Sequence, residues 1–179
     1  MAACASRCVF FPHWSWPVSS YILKHFECVA FHMTDLPYGR GGSPLQNLIV
    51  RGHKDTQMSA FRMTEELDAG PIYLKRPMSL EGRAQDIYER VADLIYDMIA
   101  EIIEGEPEPV PQSGPVTVFD RRTARDSRLD QNASPLATYN HIRMLDAETY
   151  PKAFLNQGRL EFTHAELDCD VVRARVVIK

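Results

Sequence analysis

A glycine- and proline-punctuated segment between His32 and Gly70 constrains the fold of this chain more than any other part of it. From His32 it reads His-Met-Thr-Asp-Leu-Pro-Tyr-Gly-Arg-Gly-Gly-Ser-Pro-Leu-Gln, and it closes with Leu-Asp-Ala-Gly at residues 67–70. Glycine tolerates left-handed backbone and proline fixes φ, so this spacing favours tightly curled loops over long regular elements. The segment places an imidazole, His32, near one end and a carboxylate, Asp68, near the other.

Short apolar runs alternate with helical patterns along the first part of the chain. The patterns predict strands at 8–11, 27–31, 57–63 and 71–78, and helices at 17–25, 44–51 and 83–104. The last helix is the clearest, because its apolar residues recur at three- and four-residue steps and form one stripe. Such alternation predicts an α/β core around a mainly parallel sheet.

A proline-rich stretch, Glu-Pro-Glu-Pro-Val-Pro from Glu106, follows the long helix. Proline in this density disfavours helix and central strand, so the chain is predicted to divide into a core at 1–105, a linker at 106–115 and a small C-terminal α+β region at 116–179. That last region is predicted to contain a strand at 116–119, a helix at 134–145, a hairpin turning at 156–158 and a final apolar run at 171–178.

Composition excludes several classes of protein. The chain has 179 residues, 45% of them hydrophobic and 25% charged, with a formal net charge of −4. These values are typical of a globular domain and argue against holding nucleic acid by its phosphates. No apolar run approaches the ~20 residues that a membrane span needs.

The cysteines and the N-terminus suggest a cytoplasmic protein with reduced thiols. The four cysteines are irregularly spaced, and the apolar run at the start of the chain is too short for a secretory signal. Cys4 and Cys8 lie four residues apart without a second pair at zinc-site spacing, so no metal site is predicted.

His32 and Asp68 are the candidate chemical pair. Each follows a predicted strand, and in open α/β sheets ligands bind at the carboxyl ends of strands. An aspartate facing a histidine orients the ring and favours its protonated form, which suits proton transfer near neutral pH. From spacing alone the alternative stays open that His32 caps a strand and Asp68 belongs to a turn.

The residues around this pair resemble the 10-formyltetrahydrofolate-dependent formyltransferases. That family carries Asn-x-His-x-Ser-Leu-Leu-Pro, then Arg-Gly and Pro-Ile-Gln, and later Leu-Asp-x-Gly. Here the matching residues are His32-Met-Thr-Asp-Leu-Pro, Arg40-Gly, Pro44-Leu-Gln and Leu67-Asp-Ala-Gly. The resemblance implies a Rossmann-like, three-layer fold and transfer of a formyl group from 10-formyltetrahydrofolate to an amine.

The resemblance also implies roles for individual residues. His32 would act as acid and base and polarise the formyl carbonyl, and Asp68 would orient and charge it. The predicted folate-binding residues lie in two loops: Trp14, Ser15, Trp16, Thr64, Glu65, Glu66 and Leu67. The predicted substrate-binding residues are Thr34, Tyr38 and Arg40. The two tryptophans could stack on a flat pterin or simply cover the core, and their spacing leaves both readings open.

Two features depart from the family pattern. The family's asparagine, two residues before the histidine, is here Ala30, and removing one oxyanion donor typically costs about a hundred- to a thousand-fold in rate. Thr34 and His13 are candidates to replace that donor. In addition, only 31 residues precede His32, so the fold is expected to be N-terminally truncated. An exposed sheet edge would then favour a homo-oligomer.

The acceptor is predicted to be the amino group of a nucleotide-linked amino sugar, because a short region follows the linker in an acidic chain. The partners would then be small molecules, folate and an amine, rather than nucleic acid. Three alternatives stay open: a methionyl-tRNA formyltransferase-like enzyme, a hydrolase that passes the formyl group to water, and a truncated, non-catalytic homologue.

Overall fold

Residues 8–148 and 150–179, which the computed structural model of the chain describes, form nine strands and four α-helices. Cys4, half of the cysteine pair considered above, lies outside the described residues. The strands are β1 Cys8–Phe11, β2 Glu27–His32, β3 Arg40–Gly41, β4 Asp55–Arg62, β5 Ile72–Ser79, β6 Val118–Phe119, β7 Ala153–Leu155, β8 Leu160–Asp168 and β9 Val171–Ile178. The helices are α1 Ser20–His25, α2 Pro44–Val50, α3 Ala84–Gly105 and α4 Pro135–Arg143. Every strand and helix predicted from the sequence is present, with shifted ends.

The main sheet has the strand order β1-β2-β4-β5 and is mixed. Strands β1 and β2 run parallel, whereas β2 with β4 and β4 with β5 run antiparallel. The α/β class is confirmed, but the prediction of a mainly parallel sheet is wrong for the described strands. For β4 and β5 the physical reason is the short connection at 63–71, because a parallel crossover needs a dozen or more residues and usually a helix.

One face of this sheet carries the main hydrophobic core. Val29 and Phe31 of β2 face a cluster that includes α2 and the apolar stripe of α3. The buried stripe residues of α3 are Ile87, Val91, Ile95, Met98 and Ile102. The opposite face carries a small cluster of Ala30, Leu36 and Phe61, with no helical residue among its buried or partly buried members. Within the described residues, the third layer expected of the fold is therefore not formed by a packed helix.

The glycine-rich loop is fixed by a strand that lies far along the chain. Strand β3 pairs in parallel with β6, so that Gly41 lies opposite Phe119. Gly41 has a φ of 101°, and a Cβ at this position would lie 2.4 Å from the Phe119 carbonyl oxygen. Only glycine fits this close to a backbone oxygen. Because Gly41 has no side chain, β6 can pack directly against the glycine-rich loop.

The C-terminal residues form a second sheet with the order β7-β8-β9, all antiparallel. Helix α4 contacts β8 and β9, so the predicted hairpin and final strand are one small α+β unit. The predicted division at 106–115 stays a prediction. Val110 of that segment forms an isolated antiparallel bridge with Ile72 of β5, so the segment lies against the core.

No helix among the described residues has both the length and the apolar character to cross a membrane. A search of the same residues finds no grouping of three or more His, Cys, Asp or Glu side chains that could hold a metal ion.

Candidate active site

His32 is the last residue of β2, and its side chain is almost fully buried. The ring Nε2 lies 2.8 Å from the Gly39 carbonyl oxygen. A carbonyl oxygen can only accept a hydrogen bond, so Nε2 must carry the proton in the neutral ring. Nδ1 is then the nitrogen that can accept a proton.

Asp68 faces that free nitrogen across the crevice. Its Oδ2 lies 3.7 Å from His32 Nδ1 and accepts a hydrogen bond of 2.8 Å from the backbone N–H of Gly41. A separation of 3.7 Å exceeds a hydrogen bond, so the carboxylate does not occupy Nδ1 and still stabilises a proton placed there. The structure thus brings together the histidine and aspartate predicted from the sequence.

Thr34 belongs to the support of this site. Its side chain is fully buried, and its hydroxyl donates a hydrogen bond of 3.3 Å to the Gly39 carbonyl, which also accepts from His32. The Thr34 hydroxyl is therefore engaged within the protein, and its predicted roles in binding substrate and in replacing the oxyanion donor stay predictions. Beneath it, the Ser59 hydroxyl donates to the Thr34 carbonyl at 2.7 Å.

The side chain of Arg40 also points into protein contacts. Its Nε and Nη2 donate to Gln112 Oε1 at 3.1 and 2.8 Å, and Nη1 lies 3.1 Å from Glu66 Oε1. The guanidinium retains only 13% exposure. Tyr38 packs edge-on against Phe119, and its hydroxyl lies 3.1 Å from His53 Nε2. Their predicted roles in substrate binding stay predictions.

Ala30 lies two residues before His32 on the same face of β2. It pairs with Phe61 and packs in the small cluster with Leu36. A methyl group in these apolar surroundings offers no hydrogen bond toward the crevice. The ring of His13, the other candidate donor, contacts Tyr88 of α3 with 6.1 Å between ring centroids.

The two predicted folate-binding loops are exposed segments. In the first, Trp14 is 51% exposed and packs edge-on against Phe11, while Trp16 is 74% exposed. The Ser15 carbonyl accepts from the Arg121 side chain at 3.4 Å. Both tryptophan side chains are more than half exposed, and their predicted role in binding folate stays a prediction.

The second loop, 64–67, lies beyond β4. Thr64 donates to the Glu66 carbonyl at 3.0 Å, and Glu65 lies 3.8 Å from Lys24 of α1. Leu67 is 68% exposed. The loop carries exposed polar and apolar groups next to Asp68, and its role in binding folate stays a prediction.

Two structural residues of the site were not recognised from the sequence. Asn47 is buried, and its Nδ2 lies 3.0 Å from both the Gly42 and Asp120 carbonyls. Gln112 was expected to lie in a plain linker, yet it contacts both halves of the site. The Gln112–Arg40 contact and the Asn47–Asp120 contact each join residues more than seventy positions apart in the sequence. No local sequence pattern reveals such contacts.

Comparison with known proteins places this geometry in a family. A family profile described as the C-terminal domain of methionyl-tRNA formyltransferase matches residues 124–179. The methionyl-tRNA formyltransferase of Thermodesulfovibrio yellowstonii is 30% identical over 156 residues, which cover 82% of this chain and 49% of that protein. The chain thus spans about half the length of the curated relatives it matches.

Solved structures extend the comparison. The methionyl-tRNA formyltransferase from Clostridium thermocellum superposes with a TM-score of 0.93 at 44% identity, covering 97% of this chain and 78% of that one. HypX from Aquifex aeolicus, solved in complex with tetrahydrofolic acid, has a TM-score of 0.71 at 16% identity, covering 89% of this chain and 29% of that one. The second likeness shows the fold alone.

The fold and the site together define an α/β protein with a histidine–aspartate pair at the carboxyl end of a strand. Sequence identity and superposition make the assignment specific. The chain belongs to the formyltransferase family.

Proposed function

We propose that this chain takes part in transferring a formyl group from 10-formyltetrahydrofolate to an amine, with His32 and Asp68 as the acid–base pair. The observation that carries the proposal is the 3.7 Å separation between His32 Nδ1 and Asp68 Oδ2, with Nε2 held by the Gly39 carbonyl. This arrangement leaves one basic nitrogen beside a carboxylate, which proton transfer near neutral pH requires.

The chemistry follows from that geometry. The acceptor amine attacks the formyl carbon, a bond forms between them, and the carbonyl oxygen becomes an oxyanion. His32 Nδ1 takes the proton that the amine loses and returns it to the departing folate N10 as the old carbon–nitrogen bond breaks. Asp68 stabilises the imidazolium in between, and such positioned proton transfer contributes about 10²- to 10⁴-fold to a rate.

The donor is proposed on the site and on the relatives together. The exposed Trp14 and Trp16 offer aromatic faces that suit a flat ring system. The HypX structure of the same fold was solved with tetrahydrofolic acid. Both observations support a folate as the formyl donor.

For the acceptor, we propose methionyl-tRNA rather than the nucleotide-linked amino sugar suggested by the sequence. The relatives named above at 30% and 44% identity are methionyl-tRNA formyltransferases. The expectation against nucleic acid rested on the charge of the whole chain. Residues 116–179 carry ten Lys and Arg against nine Asp and Glu, so the acidic excess lies in the first 115 residues.

Part of this positive charge lies beside the site. Arg121 packs against Gly42, at the end of the glycine-rich loop. Arg121, Arg125 and Arg128 are exposed. Exposed arginines suit the phosphates of a tRNA acceptor stem.

Release of tetrahydrofolate from 10-formyltetrahydrofolate tests the proposal, with initiator methionyl-tRNA, a nucleotide-linked amino sugar or no acceptor present. We expect turnover with methionyl-tRNA and a loss of about 10²- to 10⁴-fold in His32→Ala. His25→Ala, in the exposed α1, is the matched control and should keep the wild-type rate. Equal turnover without an acceptor would indicate a hydrolase. Turnover with the amino sugar alone would restore the sequence-based acceptor, and full activity of His32→Ala would exclude the mechanism.

A further inference from the structure

The segment 106–115 does more than connect two parts of the chain. Val110 and Ile72 exchange two backbone hydrogen bonds of 2.8 Å each, which hold the segment against the first residue of β5. Two residues later, the Gln112 side chain reaches the loop that carries Asp68. The segment therefore approaches the site at a fixed point.

The oxygen and the nitrogen of the Gln112 side-chain amide bind the two halves of the site. Its Oε1 accepts from Arg40 Nε and Nη2, at 3.1 and 2.8 Å. Its Nε2 donates to the backbone carbonyls of Asp68 and Gly70, each at 2.8 Å. One planar amide thus joins the glycine-rich loop to the aspartate loop.

These contacts close a ring that passes through Asp68, one member of the proposed acid–base pair. Gln112 binds Arg40, the next residue Gly41 donates its N–H to Asp68 Oδ2, and the Asp68 carbonyl accepts from Gln112. Asp68 has a φ of 50°, in the left-handed region that aspartate adopts more readily than most non-glycine residues. The Nε2 bond from Gln112 to the Asp68 carbonyl restrains the backbone of this turn.

We propose that Gln112 is a positioning residue that holds Asp68 at its distance from His32, so that the segment 106–115 sets the geometry of the site. Gln112 acts through Asp68 and does not touch the reacting atoms. The role in activity rests on the proposed formyl transfer, whereas the structural role does not.

Two substitutions separate the two ends of the amide. Gln112→Glu keeps an acceptor for Arg40 but turns oxygen toward the carbonyls of Asp68 and Gly70. Gln112→Met keeps the length and removes both sets of bonds. Gln131→Glu, the same charge change at an exposed turn residue, is the control.

The first readout needs no activity. Exchange of the Gly41 backbone amide reports its hydrogen bond to Asp68, and we expect it to quicken about tenfold in Gln112→Glu, the effect of losing one buried hydrogen bond. Gln131→Glu should leave the exchange unchanged. Unaltered Gly41 exchange in both Gln112 variants would overturn the proposal, whatever the chain catalyses.

The second readout is a double-mutant cycle on kcat with Asp68→Asn. If Gln112 acts through Asp68, Gln112→Glu lowers kcat about tenfold in the wild-type background and has little further effect when Asp68 is already replaced. A merely structural role predicts the same loss in both backgrounds, and that result would contradict the proposal. Absence of turnover in the wild type would bear on the proposed function and leave the Gly41 result intact.

Discussion

Asp68 and Gly41 are joined by a hydrogen bond of 2.8 Å from the Gly41 N–H to Asp68 Oδ2. This bond ties the glycine-rich loop to the Leu-Asp-Ala-Gly turn, 27 residues apart in the sequence. The same carboxylate oxygen lies 3.7 Å from His32 Nδ1. The loop backbone therefore fixes where the negative charge stands relative to the imidazole.

Replacement of Asp68 by Asn should separate this structural bond from the charge. The amide oxygen of Asn can still accept from Gly41, but the side chain no longer stabilises a proton on His32. We expect kcat to fall about a hundredfold or more while the urea midpoint stays close to that of the wild type. A large loss of stability together with activity would indicate that Asp68 mainly supports the fold.

Replacement of Ala30 by Asn should restore the donor that the family pattern contains. We expect kcat to rise about tenfold or more, at a cost in stability of about 1–3 kcal/mol for burying an amide beside Leu36 and Phe61. Ala30→Leu has nearly the same shape without a donor and should only destabilise. An equal rate in wild type and Ala30→Asn would mean that another group already stabilises the oxyanion.

Replacement of Gly41 by Ala should disrupt the loop through a backbone clash. The new Cβ would lie 2.4 Å from the Phe119 carbonyl oxygen, and the residue would keep an unfavourable φ of 101°. Gly52→Ala is the matched control, because its φ is 80° and nothing lies within 4 Å of the added carbon. In urea unfolding we expect about 1 kcal/mol of destabilisation for the control and clearly more for Gly41→Ala. Similar losses of stability in both variants would show that the backbone clash does not cause the destabilisation.

The start of α3 should be sensitive to acid. Hydrogen bonds from the Arg83 side chain and then from its backbone N–H hold the pKa of Asp86 below its ordinary value. A lowered pKa in the folded state contributes stability that is present above the ordinary aspartate pKa of about 4 and is lost as pH falls through the folded value. Asp86→Asn should therefore cost about 1 kcal/mol at pH 7 and little near pH 2.

Chemical unfolding monitored at pH 7 and near pH 2 measures this difference. Asp93→Asn removes the same charge from an exposed position of α3 and should have little effect at either pH. A loss in Asp86→Asn that is as large in acid as at neutral pH would show that the carboxylate charge is not its source.

Tryptophan fluorescence should report folate binding directly. The chain contains two tryptophans, both in the loop at 14–16, so tetrahydrofolate that stacks there should quench the emission. Loss of one stacking partner in Trp14→Ala should weaken binding by about tenfold or less. Tyr96→Ala, an exposed aromatic of α3, should leave the affinity unchanged. Unquenched emission at saturating folate would place the binding site elsewhere.

The order of strands and helices could be predicted from the sequence because it depends on local patterns. The stripe of α3 from Ile87 to Ile102 is visible as a three- and four-residue repeat, and Ser43-Pro44 marks the start of α2. The antiparallel pairing of β4 with β5 could have been predicted from the short connection between them. The antiparallel pairing of β2 with β4 could not, because their connection is long enough for a crossover and periodicity alone carries no information on strand direction.

The same difference between local patterns and long-range contacts applies to the site. His32 and Asp68 could be identified because their motifs are contiguous and their chemistry is distinctive. Thr34 stays a predicted substrate contact, and its side chain is fully buried with its hydroxyl on the Gly39 carbonyl. Gln112 and Asn47 escaped notice because an isolated amide has no local signal, and its importance comes from partners more than seventy residues away.

The pairing of Phe119 with Gly41 has a consequence for the order in which the site forms during synthesis. Synthesis proceeds from the N-terminus, so His32, Gly41 and Asp68 leave the ribosome well before Gln112 and β6. The loop receives its outer support only when those later residues arrive, and such long-range contacts form slowly. A nascent chain that ends within α3 contains the Gly41–Asp68 pair but lacks the bonds from Gln112 and the pairing with β6, so the full support of the histidine–aspartate pair forms late in translation.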